Sequence, residues 1–163
     1  MYKVRFFVSR KNVILPLTSF PIKEDVSIVF HPFPLPYHKN GFDSTQAGIV
    51  MASKADFVTV ANALFNGQGA FQTDATVNKS QAEVFETIFA PIAESVGVDK
   101  SYFLEHMTNE DPFNEQARVA WKFGCAHTVS GTPTFAANGI VSDALASYKL
   151  ADWEKWLTGG GQA

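Results

Sequence analysis

Cysteine is nearly missing: the 163 residues carry one, Cys125. A single cysteine forms no intrachain disulfide and rules out a Cys-rich zinc site or a two-cysteine redox motif. Positive charge is also short. Thirteen Lys and Arg against 16 Asp and Glu give a net charge of -3, which removes the electrostatic drive for nucleic-acid binding. Long apolar runs are missing as well. The longest uncharged stretch, Phe123 to Ser142, is broken by Gly124, Gly131, Pro133, Asn138 and Gly139, so it is no membrane span and a soluble protein is expected. No phosphate-cradling loop is present, because Asn66-Gly67-Gln68-Gly69 has no Lys-Ser/Thr behind it. The histidines His31, His38, His106 and His127 show no ligand spacing and no accompanying carboxylate cluster, so no metal is expected. The first 23 residues contain Lys3, Arg5, Arg10, Lys11 and Lys23 but no acid. That bias resembles an organelle (mitochondrial) transit peptide; a basic first strand is the preferred expectation, and the compartment stays open.

What is present is aromatic weight, with 15 Phe, which suits a tight core or a buried partner surface. Tyr2 to Val8 and Val26 to His31 read as strands, the second stopped by Pro32, Pro34 and Pro36. Between them, Arg10 to Glu24 has room for a short helix only, because Pro16 and Pro21 interrupt it. Asp43 or Ser44 is expected to cap a helix through Ile49, Val50 and Met51. Phe57, Val60, Ala61, Leu64 and Phe65 form the next stripe, ended by Asn66-Gly67. Ser80-Gln81-Ala82-Glu83 is a capping box, followed by Val84, Ile88, Phe89, Ile92 and Val96 at helical spacing and closed by Gly97. Lys100 to Met107 and Asn114 to Thr128 complete a helical block, the second with Ala117, Trp121, Gly124 and Cys125 on one face. Cys125 is accordingly expected to be a packed, inert thiol. Thr134 to Ala137, the turn Asn138-Gly139 and Ile140-Val141 read as a hairpin. Leu150 to Leu157 is a last helix.

Two segments then stand out: Phe30-His31-Pro32-Phe33-Pro34-Leu35-Pro36-Tyr37-His38, and Trp121 through Cys125 and His127 to Gly131-Thr132-Pro133-Thr134-Phe135. With the element order, they resemble the DsbA-like branch of the thioredoxin fold. The resemblance implies an α/β thioredoxin-like fold with an inserted helical domain: residues 1–38 and 128–160 as the thioredoxin-like unit, and 39–127 as the helical insertion. It implies that Pro133 is the cis-proline of the fold, and that Thr132, Pro133 and Thr134 line a groove for an extended peptide. It also places the family's C-x-x-C, which sits five residues before a helix-kinking proline, on Val8-Ser9-Arg10-Lys11. Both cysteines are absent there, and thiol–disulfide exchange needs an attacking thiolate and a partner.

The expectation is therefore a redox-inactive DsbA-like protein acting as a binding or structural subunit, with protein partners or an extended peptide and no cofactor. Two alternatives from other classes stand beside it. One is a glutathione-dependent enzyme using Ser9 with Arg10 or Lys11, after the serine of the related kappa-class glutathione transferases; the plainer role for Ser9 is a helix cap. The other is a thiol oxidoreductase acting through Cys125, which needs a basic, partly exposed setting that Lys122 and His127 supply in sequence.

Overall fold

The computed structural model describes residues 2–8, 26–141 and 147–158. The expected short helix over Arg10–Glu24 and the glycine-rich tail lie outside them. β-branched and aromatic residues build β1 (Tyr2–Val8) and β2 (Val26–Pro32), which pair in parallel. β3 (Thr134–Ala137) runs antiparallel to β1 and turns into β4 (Ile140–Val141), giving a four-stranded sheet of order β2-β1-β3-β4 among the described residues. The turn between β3 and β4 is Asn138-Gly139, with φ of 51° and 90°, the doubly left-handed geometry that matches strand twist.

The helical elements are α1 (Gly41–Ala52), α2 (Phe57–Gly67), α3 (Gln81–Val84), α4 (Ala90–Ser95), α5 (Lys100–Glu105), α6 (Pro112–Ala126) and α7 (Leu150–Thr158). Two units result: Met1–Pro32 with Phe123–Ala163, and Phe33–Lys122. These boundaries fall six and five residues before the 38/39 and 127/128 expected from sequence. Buried Phe33 and Leu35 belong to the helical unit, and the last turn of α6 belongs with the sheet.

The core of the helical unit gathers Val50, Met51, Val60, Val84, Phe89 and Phe103, all essentially inaccessible to water. Each such side chain contributes about 1.5–3 kcal/mol on burial. α1 starts at Gly41, earlier than the expected caps Asp43 or Ser44. Asn40 holds the N-cap position without capping. Its amide instead donates to Phe71 O (2.8 Å) and Thr76 Oγ1 (2.6 Å), pinning the loop after α2. α2 ends at Gly67 as expected, but Gly67 has a helical φ of -83° and leads straight into a 3-10 turn (Gln68–Phe71). A Cβ at Gly67 would lie 2.9 Å from Ile92 Cδ1, so the tip of that side chain would have to shift to admit one.

Ser80 and Glu83 form the expected capping box at the start of α3. Beyond it a π-helical turn, Phe85–Phe89, precedes α4, and the Ala90 N–H donates to Phe85 O across five residues. Pro91 lies in the first turn of α4. It has no N–H to offer and crowds the carbonyl four residues back, so the ladder changes register beside it. The extra residue rotates everything downstream. Of the expected stripe, Val84 and Phe89 are fully buried and Ile88, Ile92 and Val96 pack half-buried against the core, while Ala90 and Ala93 are buried beside them.

A polar chain crosses this core without an unsatisfied amide. Buried Gln46 donates to the carbonyls of His106 and Thr108 (3.0 Å each) and accepts from buried Asn114 (2.7 Å). Arg118 Nε closes the chain on Asn114 Oδ1 (2.7 Å). Stranding one of these groups costs about 1–3 kcal/mol.

Candidate functional site at the end of the sheet

β1 and β2 run parallel, so both finish at the same end of the sheet, and antiparallel β3 starts there. The register sets His31 and Thr134 on either side of Phe7. Val8, the last residue of β1, pairs with Pro32. One further step along the β1–β3 register brings Val8 level with Pro133. Ser9, Arg10 and Lys11 follow Val8 in the chain and lie outside the described residues.

The Thr132–Pro133 peptide bond is cis. Thr132, Pro133 and Thr134 are half-buried, and Thr134 Oγ1 donates back to Gly131 O at 2.7 Å, which braces the approach to β3. The last turn of α6 leads into this loop. Phe123 stacks on His31, with ring centroids 4.9 Å apart and planes 15° from parallel. On its other contact, His127 lies 4.1 Å away at 33°. His127 Nδ1 sits 2.8 Å from Phe123 O. A carbonyl only accepts, so Nδ1 carries the proton and Nε2 is the basic nitrogen when the ring is neutral.

α6 ends in a Schellman motif. Thr128 N–H donates to Cys125 O (3.0 Å) and Val129 N–H to Gly124 O (3.1 Å). The left-handed residue is Thr128, with φ of 59°, a β-branched residue where glycine is usual. Its hydroxyl donates to His127 O at 2.7 Å.

Cys125 is exposed, against the expectation of a packed thiol. Of the expected face, Ala117 and Gly124 are buried, with Asn114 one turn before them, whereas Trp121 is 38% exposed. At about 100° per residue, Cys125 sits roughly a quarter turn from Gly124 and faces water.

His106, given no metal-ligand role by its sequence spacing, bonds Asp111 (Nδ1 to Oδ2, 2.7 Å). Burial alone would raise the Asp111 carboxyl. Hydrogen bonds from His106 and the Phe113 N–H outweigh it and hold the group below the ordinary carboxylate range. The five-residue separation gave no helical-face signal for this pair. Among the described residues, no three His, Cys, Asp or Glu side chains converge to hold a metal ion. No helix among them is long and apolar enough to cross a membrane.

Two solved structures share this architecture over most of their length. A Pseudomonas syringae protein proposed to be a protein-disulfide isomerase matches with a TM-score of 0.73 and 16% identity, over 93% of this chain and 90% of that one. DsbA of Pseudomonas aeruginosa matches with a TM-score of 0.64 and 21% identity, over 96% of this chain and 80% of that one. The fold is DsbA-like. The DsbA-like fold here carries one cysteine, on α6, and no C-x-x-C. Comparison of the sequence with family models and with curated proteins gave no match.

Proposed function

We propose that this chain is a redox-inactive DsbA-like protein that works as a binding or structural subunit, taking an extended segment of a protein partner beside Thr132, Pro133 and Thr134. The observation that carries the reading is chemical. The position after β1 that holds a dithiol in an active relative reads Val8-Ser9-Arg10-Lys11, and exchange without two sulfurs has neither attacking group nor resolving partner. The half-buried loop at the start of β3 is retained, and backbone of this kind pairs with an added strand. The test is insulin reduction by dithiothreitol: the protein should not raise the rate above background, and clear turnover refutes the reading. Mild purification from the native source should return the chain with a partner.

One observation supports a second reading, a monothiol oxidoreductase. Cys125 is exposed, as a reactive cysteine must be. Under that reading Cys125→Ser abolishes any thiol-transfer activity; under the first it leaves partner binding unchanged.

A further inference from the structure

The outer face of α6 sets two unpaired cations between exposed apolar side chains. At about 100° per residue, Trp121, Cys125, Arg118 and Lys122 follow one another around about 100° of the helix, and Val119 lies about 60° further on. All five are exposed, Val119 at 55%. Arg118 Nε donates to Asn114 Oδ1. Among the described residues neither Arg118 nor Lys122 forms an ion pair, and the Trp121 indole N–H has no acceptor. The one acid on α6 is Glu115, in its first turn. Arg118 and Lys122 stand four residues apart, where like charges repel along a helix. Both precede the last turn, so the helix dipole does not offset that repulsion. An indole and a guanidinium left in water together are the residue types enriched where proteins dock. The helical unit that holds Arg118, Val119, Trp121 and Lys122 is otherwise acidic, with eleven Asp and Glu against six Lys and Arg. A long polyanion or an anionic lipid surface would therefore be repelled beyond this face, whereas a short anionic segment would not.

We infer that this face of α6 docks a short protein segment that mixes Asp or Glu with apolar residues. Its carboxylates lie between Arg118 and Lys122, and its apolar side chains cover Trp121 and Val119. The inference goes beyond the binding reading above and uses no residue of the Pro133 loop. A carboxylate set between the two cations replaces their repulsion with attraction on both sides, and covering the indole removes it from water.

The test uses the full-length protein and fluorescein-labelled peptides of about twelve residues, in which Leu-Phe pairs alternate with pairs of Glu, Gln or Lys. At about 20 mM salt the Glu peptide should bind at least about tenfold more tightly than the Gln peptide by anisotropy, and less than about threefold more tightly at about 500 mM. In NMR spectra of the isotope-labelled protein, the Trp121 indole N–H and the amides of residues 118–126 should shift on binding. Trp121→Ala, and Arg118→Gln with Lys122→Gln, should each weaken the Glu peptide at least about tenfold. Gln116→Ala, elsewhere on α6, should leave it unchanged. If a variant does not fold, the shifts in the unaltered protein decide the question. Glu-peptide binding that moves residues 131–134 and not 118–126, or that survives both variants, overturns the inference and leaves the Pro133 reading standing. Equal or tighter binding of the Gln or Lys peptide also overturns it. Failure of all three peptides overturns it too, and self-association lost in Trp121→Ala would then assign the face to a second copy of the chain.

Discussion

Two helices in this protein end in the same hydrogen-bonded motif with different residues at its critical position. At the end of α4, Gly97 N–H donates to Glu94 O (3.0 Å) and Val98 N–H to Ala93 O (2.9 Å), with Gly97 at φ 82°. At the end of α6 the same pair of bonds closes around Thr128 at φ 59°. Both motifs are followed by a buried valine, Val98 (2% exposed) and Val129 (6%). Gly97 needs no compensation, because glycine reaches positive φ without a Cβ clash. Thr128 carries a strain of order 1–2 kcal/mol, and its surroundings must hold it there. The Thr128 hydroxyl on His127 O, and His127 in turn on Phe123 O, are contacts that do so. The strained end is the one that feeds the cis-proline loop, whereas the relaxed end sits in the helical unit.

The largest expected effect comes from the buried anchors. Val98→Ala and Val129→Ala should each destabilise by about 2 kcal/mol in urea unfolding, since each removes two buried methyl groups. A much smaller loss for Val129→Ala would show that the α6 end is held by its ring stack and not by the motif. Next, Gly97→Ala should cost about 1–1.5 kcal/mol, because alanine at positive φ is strained. Thr128→Gly should work the other way and stabilise by about 0.5–1 kcal/mol, with amide exchange in residues 129–134 quickening as the hydroxyl bond disappears. If Thr128→Gly destabilises, the two ends are not equivalent and the hydroxyl outweighs the strain.

The smallest effect concerns the start of α6, where Asp111 is bonded to His106 and Phe113. Its carboxyl is held below the ordinary value of about 3.9. A depressed carboxylate contributes stability that is complete above its unfolded value and disappears as pH falls through the folded one. The protein should therefore lose this contribution below about pH 4. Asp111→Asn should flatten that part of the pH–stability curve and leave the region near pH 7 lower throughout.

The sequence was informative wherever a single local rule governed the outcome. Ser80 and Glu83 announced their capping box, Asn138-Gly139 its hairpin, and Gly97 its helix end, because each is decided within four residues. Thr128 could not be anticipated, since a β-branched residue at positive φ is set by its surroundings and opposes its own preference. The exposed thiol of Cys125 departs from the sequence reading because a stripe through Ala117, Trp121, Gly124 and Cys125 spans a wide arc of the helix, and only packing shows that Ala117 and Gly124 are buried while Trp121 and Cys125 are not. His106 and Asp111 meet across a turn, which no periodicity reports. At the sheet end, the proline loop and the missing dithiol were legible as motifs. The Phe123 stack on His31 was not, because it joins residues far apart in the chain.

The π-helical turn at Phe85–Phe89 has a bearing on how this chain can change length. A helix of regular pitch with one residue fewer would bring Phe89 and Ala93 to the faces they already occupy, because the extra residue only delays the rotation by one position. Loss of a residue from the exposed side of that turn, together with replacement of Pro91, would leave the same side chains in the core. Deletion within α1 would turn Val50 and Met51 away from it. The turn at Phe85–Phe89 is the point in the helical unit where the chain can be shortened by one residue without being repacked.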